Sequence, residues 1–373
     1  MYSAPVMAPV AAPAMGVAPA AVGFFVATAY LGAMLGTATA GDWVKRFGPM
    51  RVSQIGLLLC LAGLGVAATG WLPAVFAGAF LIGLGYGPAT PASSVILAKA
   101  APPGMIALTF SIKQTGVPLG TAIAGALIPT LILGLGWQGA ALAVGITCAL
   151  LALAVSSIRE GYDRERDPAV RLSVRSAFAP VGLVLRDRAL TEMALVSLVF
   201  AGVQITLMAY LVSFLAGSFA VSLVLAGMIM AASQLTSVAA RIVWGIFADR
   251  VATRRFTLGM LGVGMGATAL CALAAHPGWP LWALFAFAMA FGATAVGWNG
   301  VLLAEVARLA PRDRVSEATG GAGFFTFLGV VITPPAFNLV LQATDSYGIT
   351  YALFGLPAAV IGVRLLATAK IAA

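Results

Sequence analysis

Lys113 and Gln114 sit near the middle of residues 107–129, ALTFSIKQTGVPLGTAIAGALIP, a stretch apolar enough to cross a bilayer. At ~1.5 Å per residue the lysine lies ~12 Å beyond Met105, where the apolar run begins, and so inside a hydrocarbon core ~30 Å thick. A charge at that depth costs ~2.5–3.5 kcal/mol on insertion scales, so its expected surroundings are a wet cavity or a partner. In a cavity an ammonium is an anion-binding group; buried against a partner it would only brace the bundle. Thr109, Lys113, Gly116, Gly120 and Ala124 follow helical steps and share one face. Small residues there would let a second helix approach closely.

Other polar side chains fall inside apolar stretches: Gln204, Ser233 with Gln234, and Trp298 with Asn299. Near a bilayer midplane each amide needs a helix partner or cavity water, so these are expected to line the same site as Lys113. Tyr86 and Tyr210 are weaker candidates. Arg241 lies deeper than a headgroup position, and Glu305 is its expected ion-pair partner. Glu305 and Glu192 are also near enough to span ends to be solvated there.

The same inventory excludes other chemistry. There is one histidine, His276, beside Pro277, and three cysteines, Cys60, Cys148 and Cys271, each within an apolar run. They supply no zinc site, no histidine-based catalytic centre and no disulfide framework. No paired intramembrane acids, and no nucleophile with a base, argue for an enzyme, and no cofactor is expected.

The elements that must position these residues are membrane helices. The chain is 61% hydrophobic and 9% charged over 373 residues, with a mean hydropathy of +1.02. Such a composition marks a polytopic, all-α membrane protein. Eleven spans are expected near 19–40, 50–69, 73–98, 105–131, 137–157, 189–213, 221–246, 256–274, 279–305, 315–341 and 348–370. Residues 1–18 hold Pro5, Pro9 and Pro13 and lack the basic start of a signal peptide; they read as the outer part of an incomplete first helix. Counting it gives twelve spans. Residues 158–188, the only long polar stretch, read as a linker between halves 1–157 and 189–373.

Apart from Lys113 and Arg241, every Lys and Arg falls on the side of the linker, including Arg171, Arg175 and Lys370. The positive-inside rule makes that side cytoplasmic, together with the C-terminus. The net charge of +9 is then topology, with no nucleic-acid partner expected. The halves also repeat. A shift of 209 residues sets Leu72 on Leu281, Phe76 on Phe285, Gly83 on Gly292 and Gly120 on Gly329, and a shift of 204 sets Gly41 on Gly245. Two similar six-helix halves point to a transporter with a midplane site.

Residues 245–255, GIFADRVATRR, resemble the loop signature of the major facilitator superfamily, in which Gly-x-x-x-Asp-Arg precedes basic residues. Gly245, Asp249, Arg250, Arg254 and Arg255 match it. The first-half copy, GDWVKRFGPMR at 41–51, matches at Gly41, Arg46, Gly48 and Arg51. There Lys45 stands where the acid is expected, and Asp42 comes three residues early. The resemblance covers the whole chain and implies a bacterial-type secondary transporter working by alternating access, with these loops in the cytoplasmic gate. In the family the loop acid lies against the start of the eleventh helix, where the helix dipole favours it. Lys45 would be repelled there, but Glu317, in the first turn of span 315–341, could accept it. A Lys45–Glu317 latch is therefore expected, against the alternative that Lys45 reaches the headgroups. GVPLG at 116–120 resembles a motif of the family's drug/proton antiporters but lacks its Gly-Pro and Gly-Gly pairs.

The expected function is transport of a small, carboxylate-like organic anion across the bacterial inner membrane, coupled to protons, by a monomer in the lipid bilayer. Lys113 carries that expectation, because no mid-span carboxylate accompanies it to receive a cation. Efflux of amphipathic, drug-like compounds by proton antiport is the alternative, and a membrane sensor or membrane-embedded enzyme is the reading from another class.

Overall fold

The computed structural model describes residues 3–17, 22–170, 178–219 and 221–369. Arg171, Arg175, Lys370 and the start of the span at 19–40 lie outside them. The described residues form helices and connections, with no strand among them. In chain order the first half gives α1 Ser3–Ala14, α2 Val22–Phe47, α3 Pro49–Ala67, α4 Leu72–Tyr86, α5 Ala89–Ala100, α6 Ile106–Gln114 and α7 Gly116–Ala154. The linker gives α8 Arg159–Tyr162 and α9 Ala179–Arg186. The second half gives α10 Arg188–Phe219, α11 Leu223–Arg250, α12 Arg254–Cys271, α13 Leu281–Ala295, α14 Asn299–Leu309, α15 Val315–Thr344 and α16 Tyr347–Thr368.

Ten described helices are long and apolar enough to cross a membrane. One of them, Ile106–Ser157, runs for 52 residues, about twice what a bilayer needs. Gly136 divides it, with φ 69° and ψ 171° inside a run otherwise helical. That positive φ is open to glycine at little cost. The two arms are the separate spans expected at 105–131 and 137–157. Other starts are set by side chains: Ser222 accepts from the Leu225 N–H to begin α11, Thr253 from the Phe256 N–H to begin α12, and Asp187 from the N–H groups of Ala189 and Leu190 to begin α10.

The sequence repeat reappears as geometry. Helices α4 and α13 are offset by 209 residues at both ends, and each is followed by a break and a second helix. Helices α6 and α15 start at Ile106 and Val315, the same offset again.

Two compact units emerge, and they are interleaved in sequence. The first comprises Met1–Lys99, Val117–Thr191 and Ala310–Phe327; the second comprises Ala100–Gly116, Glu192–Leu309 and Leu328–Ala373. Each unit therefore takes a segment from across the linker. In the first, Met7 and Ala11 of α1 pack with Leu64, Ile82, Ile128 and Trp137, and α2 and α4 approach through glycine, with Gly83 against the Ala29 carbonyl. In the second, α12 and α16 approach through Gly262, Gly266 and Gly362, and an aromatic cluster gathers around Phe214 and Tyr351.

Candidate functional site

Lys113 lies at the end of α6, half-buried, and its Nζ donates to Gln114 Oε1 at 3.1 Å. The ladder of α6 stops there. Four residues on from Gln114 stands Pro118, which has no N–H to give the Gln114 carbonyl. That carbonyl accepts from Arg241 Nη1 instead. The same guanidinium donates from Nε to the Val296 carbonyl at 3.1 Å, at the break between α13 and α14. Two cations thus bond to Gln114, Lys113 at its side-chain amide and Arg241 at its carbonyl.

At that break, three expected site residues meet. Gln204 Oε1 accepts from Trp298 Nε1 and from Asn299 Nδ2, each at 3.1 Å. Trp298 is 1% exposed and packs edge-on against Phe200. Gln234 is part-buried on α11, with its amide 3.9 Å from Met230 Sδ. Lys113, Gln114, Gln204, Gln234, Trp298 and Asn299 thus all fall within the second unit. Tyr210 donates to the Pro334 carbonyl at 2.9 Å and stacks on Phe337, a packing role. Tyr86 lies beside Phe327 in the first unit.

Arg241 and Glu305, expected as a pair, each make further contacts. Glu305 is 2% exposed and accepts from Arg308 Nε and Nη2 at 2.8 and 2.7 Å, one helical turn away. Arg241 is drawn to carbonyls that the helix breaks leave short of donors. Glu192 is not simply solvated: it pairs with Arg255, and with Arg364 at 3.6 Å. The glycines of the small-residue strip fall on exposed positions. A Cβ added at Gly116 or at Gly120 would meet nothing within 4 Å, and both are exposed. Glycine permits close approach there without compelling it.

The signature loops hold two related contacts. Asp249 caps α6: its carboxylate accepts from the N–H groups of Ala107 at 3.0 Å and Leu108 at 2.8 Å, and Arg254 Nη2 lies 3.2 Å away. A Cβ at Gly245 would strike Leu108 and Ser111. By the repeat offsets, Lys45 corresponds to Asp249, Gly41 to Gly245, and Glu317 to Leu108. Lys45 Nζ meets Glu317 Oε1 at 2.5 Å, and a Cβ at Gly41 would strike the Glu317 side chain. The carboxylate has simply moved to the other helix. Arg314 Nε also donates to Glu317, at 3.0 Å, a bond that holds the guanidinium above the ordinary arginine range. Arg46 donates to the Val170 carbonyl at 2.8 Å, Asp42 is half-buried, and Arg250 is exposed.

Two participants escape sequence reading. Arg314 joins the Lys45–Glu317 pair; its place three residues before Glu317 was the available signal. Asp163, in the linker, is buried and accepts from the N–H groups of Met50 at 2.8 Å and Arg51 at 3.1 Å. It caps α3, whose own first position, Gly48 at φ 89°, has no side chain to do so. Nothing in local spacing connects residues over a hundred positions apart.

The family model described as Major Facilitator Superfamily matches residues 1–334 and 193–371. No curated protein matches. Among solved structures the chain is similar to the proton:xylose symporter XylE, at 17% identity and a TM-score of 0.73, covering 99% of this chain and 92% of that one. A human organic anion transporter gives 16% identity and a TM-score of 0.75, covering 95% and 87%. A bacterial homologue of the iron transporter ferroportin, in its outward-facing state, gives 16% and 0.73, covering 98% and 96%.

Proposed function

The chain belongs to the major facilitator superfamily, and on that premise we propose that it carries a small, carboxylate-like organic anion by alternating access, with protons as the coupling ion, across the bacterial inner membrane. The observation that carries the substrate class is the placement of Lys113 beside Gln114, whose carbonyl holds Arg241, deep in an apolar stretch. Fixed positive charge at such depth favours an anion, and amides nearby suit a carboxylate's remaining lone pairs. The basic loops orient the linker to the cytoplasm. Structural neighbours include an organic anion transporter and a sugar symporter, so the fold itself does not select between substrates.

The test is uptake of radiolabelled mono- and dicarboxylates into proteoliposomes, with and without a proton gradient. Lys113→Ala should abolish uptake while leaving insertion and the melting temperature unchanged. Normal carboxylate uptake by that variant would overturn the assignment of Lys113. Export of amphipathic dyes, unaffected by Lys113→Ala, would place the protein in the efflux class.

A further inference from the structure

Two interruptions of the helical backbone border the candidate site, and one side chain reaches both. The first follows Gln114, where Pro118 withholds the N–H that would close the next turn. The second lies at residues 296–298, between α13 and α14. Lys113 and Gln114 stand at the first; Trp298 and Asn299 stand at the second and converge on Gln204. Arg241 is 2% exposed, with Nη1 on the Gln114 carbonyl and Nε on the Val296 carbonyl.

We infer that Arg241 is the positioning residue of this site, a two-pronged clamp that replaces the missing Pro118 donor and ties the Gln114 carbonyl to the Val296 carbonyl, setting the directions of the side chains at both breaks. This rests on the site proposed above but assigns Arg241 a role that is not contact with substrate. The guanidinium suits it: its planar fork offers several N–H groups in fixed relative positions, whereas an ammonium is a single point on a flexible stem. The carbonyls in turn stabilise a buried cation by the dipoles that the broken ladders leave without donors. Gln114 comes from the first half of the sequence and Val296 from the second, so one side chain fastens segments from both halves within one unit.

The test uses amide hydrogen exchange on the purified full-length protein, comparing Arg241→Lys, Pro118→Ala and the double variant. Arg241→Lys keeps the charge but serves one carbonyl poorly and the other not at all. It should speed exchange in 114–119 and in 299–303 by about tenfold, the order expected for one lost charge-assisted hydrogen bond. Pro118→Ala returns an N–H to Gln114. In the double variant, 114–119 should return to within about twofold of wild type while 299–303 stays fast. A general loss of stability would not recover at one break only. In proteoliposomes, with succinate as the probe anion, Arg241→Lys should raise KM about tenfold and change kcat far less, as expected when uniform binding is lost. Unchanged exchange in Arg241→Lys, or rescue of both breaks or of neither, overturns the clamp. If wild type does not carry succinate, the substrate proposal suffers and the exchange pattern still decides the clamp. If Arg241→Lys does not fold, Arg241→Gln, with one amide donor for two carbonyls, is read the same way.

Discussion

Reversing the charges of Lys45 and Glu317 should open and then partly restore a latch. Lys45 is 33% exposed and Glu317 5%, with 2.5 Å between Nζ and Oε1. A pair with one end in solvent is worth up to ~1 kcal/mol, about fivefold in an equilibrium between two near-equal states. Glu317 also holds Arg314, so the two single reversals are unequal. Lys45→Glu leaves the Glu317–Arg314 bond in place but sets a second carboxylate against Glu317, and should raise the open population by at least about fivefold. Glu317→Lys sets a third cation among Lys45 and Arg314 and should do more, roughly tenfold or above. The double reversal recovers the Lys45–Glu317 attraction but keeps a cation against Arg314, so it should fall between the better single variant and wild type. The readout is alkylation of Thr37→Cys, with Cys60, Cys148 and Cys271 replaced by serine. Thr37 is buried on α2 and bonds the Gly320 carbonyl of α15, so its reaction reports separation of those helices. If the double reversal reacts as fast as the worse single variant, no latch exists.

Asp249→Ala should remove both caps from α6 and lower stability by about 0.5–2 kcal/mol, read as a fall in melting temperature; Asp249→Asn, which keeps one acceptor, should lose less. Gly300→Ala should cost roughly 1–3 kcal/mol by overpacking, because its new Cβ would strike the Ser111 backbone. Gly116→Ala, facing open space, should stay within about 0.5 kcal/mol of wild type; equal losses from both would refute the packing described for α6 and α14. Asp163→Ala should cost about 1 kcal/mol and speed amide exchange at Met50 and Arg51.

The helical architecture was legible because a bilayer constrains composition so tightly: apolar length and the 209-residue repeat both carry through to α4, α13, α6 and α15. The Lys45–Glu317 contact was legible for a different reason. A lysine in place of the signature acid creates an electrostatic misfit, and a first-turn acid in the right span relieves it. What side-chain matching passed over at Arg241 is its backbone acceptors, the Gln114 and Val296 carbonyls. Pro118 was the signal, since it leaves the Gln114 carbonyl short of a donor. Asp163 lay beyond reach, as no periodicity links a linker acid to the start of a distant helix.

The interleaving of the two units bears on how the chain can be made. The first unit closes only when residues 310–327 have been synthesised, and the second needs residues 100–116, made long before Asp249 exists to cap them. Until then the start of α6 emerges with unsatisfied N–H groups, and α3 waits for Asp163. Synthesis order and assembly order therefore diverge: insertion proceeds span by span, while packing finishes late and across the whole length. A fragment ending at the linker would carry α6 without Asp249 and Lys45 without Glu317. Two such fragments produced together should recover both contacts, and either produced alone should be the one that quality control removes.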